Sequence, residues 1–196
     1  MGADFAMLIG CDVRDAFFED PMMATEALVA EIKQRSSLDA VLRINLKGSF
    51  LVGQAVAREM AKKGSGSIIN VSSVAGFAPG ARAATYSASK AWVTNFSESL
   101  HLQYAEQGVR VLALCPGFTR TEFHSRADMD VSGVPDRMWL AATDVVRTAL
   151  ADLDAGRSLS VPGAQYKAIV AATRVIPPSV QRAVLKALQS RFPGRT

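Results

Sequence analysis

Short apolar runs rich in β-branched residues alternate along this chain with longer segments of helical periodicity. The runs are FAMLIGCDV (5–13), SIINVSS (67–73), VRVLALC (109–115) and SLSVPG (158–163). Apolar strands that are bounded by turn residues and separated by helices are typical of a parallel sheet buried on both faces. We therefore predict an α/β fold with a mostly parallel sheet, whose sites form beyond the carboxyl ends of its strands.

The segments between these runs have the spacing and the end residues of helices. Predicted helices cover residues 25–35, 38–64, 84–107 and 141–156, and two more, split by Pro177 and Pro178, follow in a tail from about residue 164. Segment 118–140 is polar and broken by Gly133 and Pro135, so we predict a long mobile loop that could cover a site. The length of 196 residues predicts a single domain.

Charge is distributed unevenly along the chain. The net charge is +4, yet residues 155–196 hold seven basic and no acidic side chains, which leaves the first 154 residues at −3. We predict that this basic helical tail is a solvated face, with weak contact to a membrane surface or another anionic partner as the alternative. The basic residues lack the aromatic interleaving of nucleic-acid surfaces, so no nucleic-acid binding is expected.

Cysteine and histidine usage indicates neither a disulfide framework nor a metal site. Cys11 and Cys115 lie far apart in apolar segments, and His101 and His124 have no partner at metal-ligand spacing. We predict no bound metal, isolated polar roles for the histidines, and a reducing, cytoplasmic location. The N-terminal stretch, with its acidic Asp4 and no basic region, is not expected to be a signal peptide.

The segment TYSASKAWVTNF (85–96) places Tyr86 and Lys90 four residues apart on a predicted helix. Side chains at this spacing share one face, and a nearby ammonium lowers the pKa of a phenol, which would make Tyr86 a general acid or base. Ser73 ends the preceding buried strand, where its hydroxyl can hold a carbonyl oxygen beside Tyr86. The alternative is structural, because a Tyr-x-x-x-Lys pair also arises by chance and Ser73 is then an ordinary strand-end hydroxyl.

Four motifs, taken in their order and spacing, resemble the short-chain dehydrogenase/reductase family. They are INLKGSF, GSIINVSSVAG, YSASKAW and GVRVLALCPGFTRTEF, and the resemblance runs over about residues 39–163. It implies a Rossmann-like three-layer sandwich and an NAD(P)-dependent oxidoreductase that interconverts a carbonyl and an alcohol. The identity of the small-molecule substrate and the preference for NAD or NADP stay open.

The resemblance also implies roles for individual residues. Tyr86 would be the proton donor, Lys90 would lower its pKa and hold the nicotinamide ribose, and Ser73 would polarise the substrate carbonyl. Asn45 would orient a water in the proton relay. The implied cofactor contacts, besides Tyr86 and Lys90, are Asp12, Val13, Pro116, Gly117, Phe118 and Thr121. The structural alternatives are a role for Asn45 in capping or cross-linking the backbone and a turn-forming role for Asp12.

The glycine-rich cofactor loop of that family is not found among the fourteen glycines of this sequence. We therefore expect a truncated member whose sheet is incomplete in its N-terminal half. A catalytic chain is expected to be a homodimer or homotetramer. The alternative function is a non-catalytic homologue that acts by dimerising with a full-length relative. The apolar stripe of Trp92, Phe96, Leu100 and Tyr104 is then either core or part of the dimer contact.

Overall fold

The computed structural model of the chain describes residues 5–8, 41–79, 84–126, 131–177 and 179–183. The predicted helix at 25–35 and the predicted cofactor residues Asp12 and Val13 lie outside these ranges. The described strands are β1 (Phe5–Leu8), β2 (Gly66–Val71), β3 (Val109–Leu114), β4 (Thr119–Arg120), β5 (Leu140–Ala141) and β6 (Leu159–Ser160). The α-helices are α1 (Ser49–Lys63), α2 (Ala84–Tyr104), α3 (Phe123–Arg126), α4 (Ala142–Asp154) and α5 (Ala164–Val175).

Among the described residues, the main sheet has four parallel strands in the order β1-β2-β3-β6, which confirms the predicted parallel α/β architecture. Successive residues of a strand point to opposite faces, and both faces of this sheet are covered. Ile68 and Val111 pack against α1 and α2, whereas Ile69 and Leu112 pack against α4 on the other side. The helices on both faces make the domain a three-layer sandwich.

Two helix ends lie where the sequence predicts them. α1 ends at Gly64 and the 3₁₀ turn that follows α2 ends at Gly108, both in the left-handed conformation that glycine adopts without strain (φ 72° and 78°). The start of the first of these helices differs from the prediction, because residues Leu42–Gly48 form π-helical turns that lead directly into α1.

Segment 118–140 is not the plain loop that we predict from its composition. β4 pairs with β5 in a separate two-stranded parallel sheet, and the backbone N–H of Leu140 donates to the carbonyl of Phe118 at 2.8 Å. The short helix α3 and a 3₁₀ turn at Asp136–Met138 lie within the same segment. Sequence reasoning missed these pairings because two-residue strands carry no periodicity that a sequence can display.

In the part of the chain that the structure describes, no helix has the length and apolar character needed to cross a bilayer.

Candidate active site

The carboxyl ends of β2 and β3 are joined beyond the last residues of the strands. The N–H of Ser72 donates to the carbonyl of Leu114 at 2.7 Å, and the N–H of Val74 donates to the carbonyl of Pro116 at 3.1 Å. These two bonds place Ser73 beside the Pro116-Gly117 turn. The structure thus brings together two groups of predicted site residues that lie more than forty positions apart in the sequence.

A 3₁₀ turn at Val74–Phe77 follows Ser73. The Ser73 hydroxyl accepts a hydrogen bond from the N–H of Ala75 at 3.1 Å and so caps this turn. A Cβ added at Gly76 would lie 2.8 Å from the backbone nitrogen of Ala91 and 2.9 Å from the carbonyl carbon of Lys90. Glycine at 76 therefore lets the turn pack directly on the backbone of the Tyr86–Lys90 helix.

Tyr86 and Ser73 meet at this contact, since the Ser73 side chain hydrogen-bonds with the Tyr86 phenol. Lys90 lies below the ring of Tyr86, with Nζ 5.8 Å from the ring centroid. The Lys90 ammonium donates to the carbonyl of Val71 at 2.9 Å. The structure thus brings Ser73, Tyr86 and Lys90 to one edge of the sheet, as their positions in the sequence predict.

The pKa of Tyr86 differs from our prediction. Burial raises the pKa of the Tyr86 phenol above its usual value, and the hydrogen bond with Ser73 opposes that rise. The predicted lowering of this pKa by Lys90 is wrong for this structure, because desolvation of the phenol is the largest effect and raises its pKa. Burial also lowers the pKa of Lys90 itself to about 8, since a desolvated ammonium is disfavoured.

A polar cross-link that the sequence did not reveal fixes the turn of α2 that bears Lys90. The Ser72 hydroxyl donates to the carbonyl of Lys90 and shares a hydrogen bond with Thr94, both at 2.7 Å. Thr94 also contacts the buried thiol of Cys115 at 3.5 Å. The pKa of Cys115 is raised, mainly by burial. This cross-link ties α2 to the ends of both central strands.

Asn45 lies within the π-helical turns, and its side chain contacts Ser89 of α2. Its amide Nδ2 donates to the hydroxyl of Ser89 at 3.2 Å, and that hydroxyl donates to the carbonyl of Tyr86 at 2.8 Å. Single π turns inside helices are frequent at functional sites because they redirect side chains. The observed contact is the cross-linking role that we kept as an alternative, and the water relay of Asn45 stays a prediction.

The predicted cofactor residues Phe118 and Thr121, which follow β3, differ in burial and in contacts. Phe118 is half-buried beside the Pro116-Gly117 turn, where Thr119 donates from its hydroxyl to the carbonyl of Gly117 at 3.0 Å. Thr121 is exposed, and its hydroxyl accepts from the N–H of Phe123 at 3.3 Å, at the start of α3. In this structure Thr121 therefore caps a short helix, and Thr119 is the hydroxyl that contacts the turn.

An aromatic cluster, formed by Phe118, Phe123, His124 and Trp139, anchors the segment that we predict to be mobile. The His124 ring lies 5.7 Å, 5.4 Å and 5.1 Å from the rings of Phe118, Phe123 and Trp139. Burial among these rings lowers the pKa of His124. The guanidinium of Arg120 lies 5.5 Å from the ring of Trp139. His124 is thus part of an apolar packing unit rather than an isolated polar side chain.

No group of three or more His, Cys, Asp or Glu side chains suited to a metal ion occurs among the residues that the structure describes.

Comparison with known proteins decides the family. The family model for short chain dehydrogenases matches residues 23–131, which is more than half of the chain. The chain belongs to the short-chain dehydrogenase family. The Ser73, Tyr86 and Lys90 constellation lies inside the matched region.

Relatives that match this chain include curated oxidoreductases. An uncharacterized oxidoreductase from Thermotoga maritima is 39% identical over 92 residues, which cover 47% of this chain and 37% of the relative. Dehydrogenase/reductase SDR family member 4 from Bos taurus is 42% identical over 85 residues, which cover 43% of this chain and 30% of the relative. The chain thus spans less than half the length of these curated relatives.

The fold agrees with this family. A solved structure of a short-chain dehydrogenase from Sphingobium yanoikuyae, in complex with NADPH, matches 84% of this chain and 72% of its own, with a TM-score of 0.62 and 24% identity. Similarity at this level of identity shows the fold, and it confirms the predicted Rossmann-like architecture.

Proposed function

We propose that this chain carries the proton-transfer residues of an NAD(P)-dependent oxidoreductase that interconverts a carbonyl and an alcohol. The observation that supports it most is the meeting of Ser73 and Tyr86 at the carboxyl edge of the sheet, with Lys90 beneath them. Ligands of open parallel sheets bind at this edge. Oxidoreductase relatives that match the same region support the reaction class.

Ser73 and Tyr86 are placed to hold the same substrate oxygen. Both hydroxyls can donate a hydrogen bond to a carbonyl oxygen, and a burial-raised pKa keeps the Tyr86 phenol protonated at neutral pH. A protonated phenol is the form needed to give a proton to the developing alkoxide during reduction. Lys90, which is charged below pH about 8, lies beneath the ring and would hold the nicotinamide ribose hydroxyls.

The nicotinamide cofactor, when bound, supplies or accepts the hydride. The residues present fit its nicotinamide end, because Lys90 brings an ammonium donor and the Pro116-Gly117 turn lies beside Ser73. NADPH in the Sphingobium yanoikuyae structure supports a nicotinamide dinucleotide as the cofactor class. The glycine-rich pyrophosphate loop is not present in the 196 residues, so cofactor binding is the step to measure first.

The experiment combines calorimetry with one substitution. The purified chain is titrated with NADPH and with NADH, and turnover is then assayed with cyclohexanone and acetophenone as probe carbonyls. Tyr86→Phe is expected to leave binding and folding intact while abolishing turnover. Tyr104→Phe is the matched control, since Tyr104 is buried at the far end of the same helix, in the core cluster that includes Val109. Unchanged turnover in Tyr86→Phe would refute the mechanism.

A second candidate, a non-catalytic homologue that acts through dimerisation, is favoured by an apolar surface on α1 and α2. The Phe50 side chain is 43% exposed, and its ring lies 5.7 Å from that of Phe96, which stacks on Trp92 at 4.8 Å. Leu100 and Tyr104, the rest of the predicted stripe, are buried in the core. The predicted stripe thus divides between the core and a half-exposed surface.

We propose that this surface forms the contact of a homodimer or homotetramer. Phe50→Glu is expected to shift the chain to a monomer in sedimentation velocity, while Leu102→Glu, at an 81% exposed position of the same helix pair, should not. A dimer that binds neither NADPH nor NADH at millimolar concentration would favour the non-catalytic function over the enzyme.

Two further predictions from the sequence stay proposals. The basic tail, of which the structure describes Lys167 and Arg174 on the exposed side of α5, is predicted to be a solvated face, and weak contact with anionic membrane surfaces is the alternative that we propose to test. Flotation with phosphatidylserine vesicles that is insensitive to Lys167→Glu/Arg174→Glu would contradict this. The cytoplasmic location rests on cysteine usage alone.

A further inference from the structure

Tyr166, a residue to which the sequence analysis gives no role, packs its ring on the Pro116-Gly117 turn. It projects from the first turn of α5 and is only 2% exposed. A Cβ added at Gly117 would fall 1.9 Å from Cζ of the Tyr166 ring. No side chain at position 117 can therefore coexist with the phenol in its present place. The glycine of the turn is needed for Tyr166, whatever else the turn binds.

The Tyr166 hydroxyl bridges the two ends of segment 118–138. It accepts a hydrogen bond from the N–H of Phe118 at 3.0 Å and donates one to the carbonyl of Met138 at 2.6 Å. A single phenol oxygen thus pairs with one backbone donor and one backbone acceptor, which uses both of its hydrogen-bonding capacities. Phe118 belongs to the aromatic cluster, and Met138 directly precedes Trp139 of the same cluster.

We propose that Tyr166 is the positioning residue that locks the Pro116-Gly117 turn and ties Phe118 to Met138 beside the active site. The part of this inference that concerns cofactor affinity rests on the proposed function. One side chain makes both contacts, since its hydroxyl pairs with Phe118 and Met138 and its ring packs on Gly117.

Removing the hydroxyl leaves two backbone groups without their partner. In Tyr166→Phe the ring still fills the space over Gly117, while the N–H of Phe118 and the carbonyl of Met138 lose their bond. A lost hydrogen bond of this kind corresponds to about tenfold faster local opening. The N–H of Phe118 should then exchange about tenfold faster with solvent, whereas amides in β2 and β3 should keep their rates.

The first test measures amide exchange by NMR in the wild type, in Tyr166→Phe and in the control Tyr104→Phe. Faster exchange confined to Phe118 and residues 138–140 in Tyr166→Phe is expected. Unchanged exchange there, or an equal increase across the sheet in both variants, would overturn the proposal. This measurement needs no cofactor, so it stands or falls separately from the proposed function.

The second test measures the effect on the turn. For a chain that turns over, Tyr166→Phe is expected to raise KM for the nicotinamide cofactor severalfold with a smaller change in kcat. A fall in kcat at constant cofactor KM would contradict positioning of the turn.

The third test uses a compensating pair of substitutions. Gly117→Ala should destabilise the chain in urea unfolding, and Tyr166→Ala, which removes the ring that clashes, should make the same change at 117 much less costly. Strict additivity of the two changes would refute the contact.

Discussion

Gly76→Ala is the sharpest perturbation of the candidate active site, because it adds one methyl group where the Ser73 turn meets α2. The new Cβ would lie 2.8 Å from the backbone nitrogen of Ala91 and 2.9 Å from the carbonyl carbon of Lys90. Both atoms belong to the middle of a helix and cannot rotate away as a side chain can. The turn must therefore move away from the helix.

The size of the effect follows from these distances. Restoring an ordinary carbon contact requires the turn to retreat by about 0.6 Å. Overpacking of this kind costs about 1–3 kcal/mol of unfolding free energy. Because Ser73 caps the same turn, its hydroxyl retreats from Tyr86, and a misplacement of about 1 Å in a catalytic site costs about a hundredfold in rate. We expect a loss of about ten- to a hundredfold in kcat/KM.

The assay pairs urea unfolding with turnover of the probe carbonyls, and Gly53→Ala is the matched control. At Gly53 the added Cβ would meet side chains, at 3.1 Å from the ring of Phe96 and 3.3 Å from Leu100, which can adjust. Alanine also favours a helix over glycine by about 1 kcal/mol, so Gly53→Ala should be near neutral in both measurements. Wild-type turnover and stability in Gly76→Ala would refute the reasoning.

Three further predictions concern Lys90 and its surroundings. Because burial disfavours the ammonium, Lys90→Met should raise the unfolding free energy at pH 7 by about 2 kcal/mol, and it should also abolish turnover. The exposed control Lys62→Met should change neither quantity. A lower unfolding free energy in Lys90→Met would contradict the desolvation argument. The folded state holds the Lys90 proton less tightly than the unfolded chain, so the stability of the wild type should rise from pH about 8 toward 10.5. The rate of carbonyl reduction should fall above pH about 8, because the ammonium deprotonates. A rate that stays constant up to pH 10 would count against a role for that charge. Thr94→Val should lower the unfolding free energy by about 1–2 kcal/mol, because the hydroxyl bonds to Ser72 and to the carbonyl of Lys90. Thr94→Ser keeps the hydroxyl and should have the unfolding free energy of the wild type. An equal loss of unfolding free energy in both variants would argue for packing instead.

Much of the candidate site follows from strand ends and helix faces. Ser73 and Pro116 each follow an apolar run, and parallel strands bring their carboxyl ends to one edge of a sheet. The four-residue spacing of Tyr86 and Lys90 places them on one helix face. Rules of this kind can be applied to a sequence alone, because they depend on residues that are neighbours in the sequence.

Other parts of the site depend on contacts between distant residues. Tyr166 meets Phe118 across 48 positions, and Asn45 meets Ser89 across 44. Neither contact has a periodicity or a spacing that a sequence displays. The role of Thr121 is similar, because only the fold shows that its hydroxyl caps α3 while Thr119 contacts the turn.

The sequence by itself determined the parallel α/β architecture, the family resemblance and the residues at the carboxyl edge, because periodicity and motif order are local properties. Tertiary structure decided in which direction the pKa values of Tyr86 and Lys90 shift. The raised pKa of Tyr86 and the lowered pKa of Lys90 arise from burial by elements that lie far away in the chain. Desolvation is a property of the packed surroundings, so no spacing between two residues could reveal its sign.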